Sequence, residues 1–337
     1  MTTILKGYRV KPENSVAGCD TFSAFSDRSQ KVAPLPAANG NIRNPRFENI
    51  RRLGSPIVES TPFVFKDKLY LLENFQECWN IAKPQFGEHD YLKDKVRITD
   101  LGSGEIVAAP LIGYTFGIAF VWDNKVYVFA GNHHAAAEWR HVTELCMTCS
   151  DDLKNWTPPQ TVLKALDGEH FFNFAVCRGK DSFVLLYETD DPQWPKFTFR
   201  YCVSDNLTDW NLLPGAIYGK DKYVGGPALY YEGDYYYTLY LEDLGNAWET
   251  RITRSQDLIH WEEAREPFIT FDPSVKNLPF HPPEVCECNA SDAEVCYWNG
   301  KTIIYFTGGI QNIAGDLHVA EFQGTPQELF EHYFADQ

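Results

Sequence analysis

The segment Ser150–Trp156 reads SDDLKNW, and close copies, SDNLTDW and SQDLIHW, occupy Ser204–Trp210 and Ser255–Trp261. The copies start 54 and 51 residues apart in a chain of 337. A period near 50 residues restricts the fold to a radial or stacked array, because one such unit cannot bury its own apolar face. A second element recurs between the copies: a strand, a tight polar turn, then an aromatic strand. It is seen in TPFVFKDKLYLLEN (61–74), IAFVWDNKVYVFAG (118–131), FAVCRGKDSFVLLYE (174–188), ALYYEGDYYYTLYLE (228–242) and EVCYWNGKTIIYFTG (294–308). Short polar turns between alternating apolar strands mark β-hairpins.

A hairpin plus two further strands makes a four-stranded blade, and five of them make an all-β, five-bladed β-propeller. The expected blades span about 56–110, 111–166, 167–221, 222–284 and 285–325. In the first, VRITDLGSG (96–104) reads as a degenerate copy of the turn, and DLHVAEFQG (316–324) holds the equivalent place in the fifth. Residues 1–55 read as an arm that packs on the propeller (56–325), adding a closing strand or roofing the disc. TPQELFEHYF (325–334) predicts a short helix in a C-terminal tail, 326–337. The proline-rich stretch 268–288 reads as a long loop.

Composition narrows the partners. Aromatic residues make up 15% of the chain, in keeping with strands. A net charge of −16 argues against nucleic acid and anionic membranes. No apolar run reaches membrane-spanning length, and the start lacks a signal-peptide pattern, so a cytoplasmic protein is expected. Nine cysteines include a CxxC at Cys146 and Cys149, but it lies in a strand pattern with no second pair. Reduced structural cysteines are expected, with no metal and no cofactor.

The S-x-x-L-x-x-W turns, with GGPALYYEGDYYYTLY (225–240), resemble those of the five-bladed propeller glycoside hydrolases. That group comprises family 43 and its fructofuranosidase-like and mannoside phosphorylase-like relatives. The resemblance covers roughly residues 56–325. It implies sugar chemistry by axial acids: a general base on blade one, a pKa-tuning Asp, and a general-acid Glu in a Glu-Gly-Pro stretch. Glu59, in VESTP, falls near the blade-one acid, whereas Gly225 stands where the family has its Glu.

Superposing the hairpins on Lys68, Lys125, Ser182, Asp234 and Lys301 and counting back nine residues gives the mouths of the inner strands. These are Glu59, Phe116, Asn173, Gly225 and Asp292. A carboxylate opening an apolar inner strand is costly without a role, so Glu59 and Asp292 are the leading catalytic pair. Glu188, Glu169 and Glu242 are further catalytic candidates for the proton donor. Glu73, Asn173, His133, His134 and Asp190 are substrate-binding candidates on the same face. Trp139 and Trp248, with Trp79 and Trp194, lie in or near loops where a sugar ring can stack. Pairing of the acids with Arg140, Arg200 or Arg251 would instead mark them as structural.

A glycosidase needs two carboxyl groups about 5–5.5 Å apart for retention or about 6.5–9.5 Å apart for inversion. One must stay protonated, which burial and a neighbouring carboxylate arrange. The expectation is a glycoside hydrolase taking a small carbohydrate, exo-acting because long loops close a funnel. Two alternatives stay open. A phosphorylase or glycosyl-transferring relative requires a basic phosphate patch, and a non-catalytic sugar-binding propeller fits Gly225. The repeated turn follows the third strand of its blade and so belongs to the opposite face, where its role is structural.

Overall fold

The computed structural model describes residues 46–55, 57–76, 90–138, 141–194, 197–245, 247–275, 286–310 and 314–335. An outlying strand, β1 (Glu48–Arg52), precedes the first blade. Blade one is β2 (Ser60–Phe65), β3 (Lys68–Phe75), β4 (Lys95–Asp100) and β5 (Ile106–Ile112). Blade two is β6 (Tyr114–Trp122), β7 (Lys125–Asn132), β8 (Glu144–Ser150) and β9 (Gln160–Lys164). Blade three is β10 (Phe171–Arg178), β11 (Phe183–Thr189), β12 (Thr198–Ser204) and β13 (Asn211–Tyr218). Blade four is β14 (Gly225–Glu232), β15 (Tyr235–Asp243), β16 (Trp248–Ser255) and the short β17 (Glu262–Glu263). Blade five is β18 (Ser291–Trp298), β19 (Lys301–Ile310) and β20 (Ala314–Phe322), and β1 pairs antiparallel with β20 as its fourth strand. The protein is a five-bladed β-propeller. Its inner strands neighbour one another around the ring in the order β2, β6, β10, β14, β18 and back to β2.

Closure of the ring couples the two ends of the described chain. Arg52 on β1 donates to the buried Asp316 carboxylate on β20 at 2.8 Å. The helix α1 (Pro326–Glu331) follows β20 and starts at a capping box, in which Thr325 and Glu328 exchange side-chain-to-backbone hydrogen bonds.

Apolar residues sit between the blades in five clusters, one per interface. Phe63, Leu72, Val126 and Val128 join blades one and two. Phe129, Leu145, Phe174 and Leu185 join two and three. Leu186, Phe199, Leu229 and Tyr240 join three and four. Tyr237, Leu239, Ile304 and Phe306 join four and five, and Leu69, Leu71, Ile303 and Leu317 join five and one.

The repeated turn plugs these interfaces. In the first copy Ser150 Oγ accepts the amides of Asp152 and Leu153, and Asp152 Oδ1 accepts those of Lys154 and Asn155. This holds Leu153 at φ 62°, a left-handed conformation unusual for leucine. The indole of Trp156 donates to the Leu153 carbonyl at 3.3 Å. The same bonds recur around Leu207 and Leu258, at φ 67° and 64°. Leu153 enters the cluster between blades one and two, Leu207 that between two and three, and Leu258 that between three and four. Leu101 packs at the five–one interface after the Asp100 turn, and Leu329 and Phe330 of α1 fill the four–five interface. Every interface thus receives an apolar plug from the chain that leaves its third strand.

One positional expectation is corrected. Blade three turns through Gly179–Ser182, so β11 opens at Phe183 rather than Ser182. In blade four Gly233 and Asp234 are both left-handed turn residues, so β15 opens at Tyr235. Matching the register slips as well makes the mouths of the inner strands Glu59, Phe116, Phe172, Gly226 and Asp292, with Phe172 further from its strand opening because the blade-three turn is longer. All but Phe172 have positive φ, and in blades two to five the pairing register slips at this point. The slip is a β-bulge, which re-aims a side chain at the end of a strand.

Leu207 is 2% exposed, and truncating a buried leucine costs about 2–5 kcal/mol. Leu207→Ala is expected to lower stability by that amount in urea titration. The circular dichroism spectrum of the variant without urea should match that of the wild type.

Candidate active site

All five blades contribute to one pocket where their inner strands converge. Its lining is Glu59 and Asn74 from blade one, Gly117 and Ile118 from two, and Asn173 and Phe174 from three. Gly226 and Pro227 come from blade four, and Asp292 and Glu294 from five. No lysine, arginine or histidine is among these residues.

Blade five supplies two carboxyl groups two residues apart on β18. The bulge at Asp292, φ 51°, brings both to the pocket. The Ser291 hydroxyl donates a short hydrogen bond to Asp292 Oδ2, and Asn289 Nδ2 donates to Ser291 Oγ at 3.0 Å. Ser291 and Asn289 are fully buried, so this relay holds Asp292 firmly. Thr61, from blade one, donates to Glu294 Oε1 at 3.0 Å. Desolvation raises both acids, Asp292 to about 6, and with the smaller push of the Asp292 charge Glu294 reaches about 8. Ser291 acts in the other direction on Asp292, favouring its ionised form.

Blade four makes room for Asp292. A Cβ at residue 226 would stand 2.2 Å from Asp292 Oδ1, so only glycine lets the carboxylate lean over β14. The Gly226 amide donates to Glu188 Oε2 at 3.0 Å, and Asn173 Nδ2 donates to the same oxygen at 3.0 Å. Glu188 therefore stands just behind the pocket and holds two of its walls. Asn74 does the same between blades one and two: its amide donates to the Glu59 and Gly117 carbonyls and accepts from the Gly117 amide.

The structure brings Glu59, Asn173 and Asp292 together at the pocket, with Glu188 behind them. The other candidates lie elsewhere. Glu73 is fully buried in bonds from Arg97 and Thr99 of its own blade. It matches Glu188 in position, each five residues into its strand, whereas Glu242 lies two residues further along. Glu242 faces Arg251 at 3.4 Å and Lys222 at 4.0 Å. Glu169 pairs with Arg200 at 2.9 Å, and Arg200 also holds Asp191, forming a buried triad. Burial raises the Glu169 carboxyl, and Arg200 opposes the shift. Asp190 accepts from the His170 amide and faces its Nδ1 at 2.9 Å. His133 is buried against Tyr91, and His134 places Nε2 2.9 Å from the Ile112 carbonyl. Trp248 is buried, its backbone paired with Cys288 and Ala290. Trp194 lies beneath the Lys220 ammonium. Trp139, Trp79 and Arg140 lie outside the described residues.

Glu294, Ser291, Thr61, Asn74 and Gly226 are additions that the hairpin superposition missed. Glu294 carries a readable signal: it follows Asp292 by two residues on a strand, where side chains two apart share a face. Cys146 and Cys149 both lie on β8 as free thiols. Among the described residues no group of three His, Cys, Asp or Glu is arranged to hold a metal ion, and no helix is long and apolar enough to cross a membrane.

Neither a protein-family profile nor a curated protein matches the sequence. Solved structures do match the fold. A glycoside hydrolase superposes with a TM-score of 0.59 at 13% identity, covering 80% of this chain and 88% of its own. A thermostable family-43 glycoside hydrolase gives 0.57 at 10% identity, over 88% and 94%. A β-1,2-mannobiose phosphorylase from Listeria innocua, in complex with β-1,2-mannobiose, gives 0.55 at 11%, over 87% and 99%. At these identities the likeness establishes the five-bladed propeller architecture.

The raised Glu294 fixes the sign of a pH effect. Its neutral form is favoured by the fold, so its contribution to stability is complete below about pH 4.5 and is lost as pH rises through about 8. Glu294→Gln stays neutral throughout. Between pH 6 and 8 the urea midpoint of the wild type should fall relative to that of the variant, measured in parallel.

Proposed function

We propose that this protein is a glycoside hydrolase acting on a small oligosaccharide or glycoside, exo-acting, with its chemistry at the axial pocket. The observation that carries the reading is the meeting of Glu59, Asp292 and Glu294 in one pocket, with Glu294 raised to about 8. A carboxyl group still protonated at neutral pH is what cleavage of a glycosidic bond requires of its proton donor. The likeness to glycoside hydrolase structures supports a carbohydrate substrate.

In this reading Glu294 donates its proton to the leaving oxygen. Glu59 supplies the second carboxylate, acting on water or on the anomeric carbon from the neighbouring blade. Asp292 sits beside Glu294, and its charge keeps the donor protonated. The acid that relatives carry at the Gly225 position is thus replaced from blade five, next to blade four's glycine pair. Absence of a basic residue from the described lining favours hydrolysis over transfer to phosphate.

The test uses 4-nitrophenyl glycosides of arabinofuranose, xylose, mannose, glucose and galactose, assayed with and without inorganic phosphate. On the sugar that is accepted, activity should fall as pH rises through about 8, following loss of the Glu294 proton. Asp292→Asn should move that fall to lower pH. Glu294→Gln should cost about 10²–10⁴-fold in kcat, the usual share of a general acid. Full activity in Glu294→Gln would contradict the assignment. Turnover only with phosphate would make the protein a phosphorylase, and binding without turnover a sugar-binding propeller.

A further inference from the structure

Of the five mouth positions, Glu59, Gly226 and Asp292 line the pocket, and Phe116 and Phe172 immediately precede its lining residues Gly117 and Asn173. Phe116 sits at φ 53°, a conformation rarely adopted by a bulky residue and found where a site aims a side chain. The Phe116 and Phe172 rings are 5.9 Å apart between centroids. The series continues to Phe197 at 4.5 Å and then to Tyr223 at 5.6 Å. Phe197 lies between β11 and β12, and Tyr223 lies in the segment entering β14, so both belong to the face on which the pocket opens. The Tyr223 hydroxyl comes within 3.1 Å of where a Cβ at residue 225 would stand, beside the pocket wall. Phe172 is buried by its neighbours, while Phe116, Phe197 and Tyr223 keep accessible area.

We infer that the arc Phe116–Phe172–Phe197–Tyr223 is a stacking subsite for a second ring of the substrate, the sugar or aryl ring on the leaving-group side. This rests on the glycosidase reading. In that reading the ring carrying the anomeric carbon meets the acids of the axial pocket, which residues of all five blades wall in. A ring beyond the scissile oxygen has to lie outside it, and the aromatic arc runs from the pocket mouth across three blades. Aromatic faces take the apolar face of a flat ring without demanding a hydrogen-bond pattern, so the subsite selects for a ring rather than for one particular sugar.

The experiment compares two substrates of the sugar accepted in the panel: its 4-nitrophenyl glycoside and its glycosyl fluoride, which has no second ring. In the double variant Phe197→Ala/Tyr223→Ala, kcat/KM for the 4-nitrophenyl glycoside should fall about tenfold, from loss of two ring contacts. Hydrolysis of the fluoride should stay near the wild-type rate. Equal losses on both substrates, or no loss on either, would overturn the inference while leaving the glycosidase reading intact. If the double variant does not fold, Phe197→Leu/Tyr223→Leu keeps the bulk and is read in the same way. If the wild type hydrolyses neither substrate, the glycosidase reading fails. Calorimetric titration with the 4-nitrophenyl and methyl glycosides then decides the arc: tighter binding of the aryl compound that is lost in the variant supports it, and equal binding overturns it.

Discussion

The pocket depends on a backbone device: the left-handed residue that opens the inner strand in four of the five blades. Glu59, Phe116, Gly226 and Asp292 all have φ between 51° and 56°. An extended strand sends alternate side chains to its two faces, and between packed blades both faces are apolar. A left-handed residue at the strand mouth breaks that alternation once. The same backbone position carries an acid lining the pocket in blades one and five, a phenylalanine beside the lining in blade two and open space in blade four. Non-glycine residues held in this region are costly, so the surrounding structure has to over-determine Glu59, Phe116 and Asp292.

The rest of the molecule makes this strain affordable. Five interblade cores and five apolar plugs fix the wheel, and three of the plugs are left-handed leucines stabilised by serine and aspartate or asparagine side chains. Acids that are spent on architecture are recognisable by their partners. Glu73 is held by Arg97, Glu169 and Asp191 by Arg200, and Glu242 by Arg251. The blade-five pair and Glu188 receive hydrogen bonds from neutral donors instead. Thr61, Ser291 and Asn289 surround the blade-five pair, and the Gly226 amide and Asn173 meet Glu188. Neutral donors leave the desolvation of Asp292 and Glu294 uncompensated, which is why their carboxyl groups titrate high.

Much of this was legible before any coordinates. The turn SDDLKNW and its copies set the period, and the hairpins set the blade count, because both depend on local side-chain chemistry. Glu59 and Asp292 stood out as charges opening apolar strands. Other features were hidden for identifiable reasons. The longer turn at Gly179–Ser182 and the two-residue turn at Gly233–Asp234 shifted two blades by one place, so Phe172 and Gly226 were displaced by Asn173 and Gly225. Glu294 sat inside a strand whose start had already provided an acid. The fates of Glu73 and Glu169 depended on partners on other strands, Arg97 and Arg200, that pattern alone does not pair with them.

The central claim is that two acids of one strand are held apart in protonation by their surroundings. Site-selective carbon-13 labelling of the glutamate and aspartate side-chain carboxyls, with assignment by Glu294→Gln and Asp292→Asn, measures this directly by NMR titration. The account predicts that Asp292 titrates near 6 and Glu294 near 8, and that Glu294 moves down in Asp292→Asn. Two carboxyls titrating together in the ordinary range near 4, indifferent to one another, would contradict it.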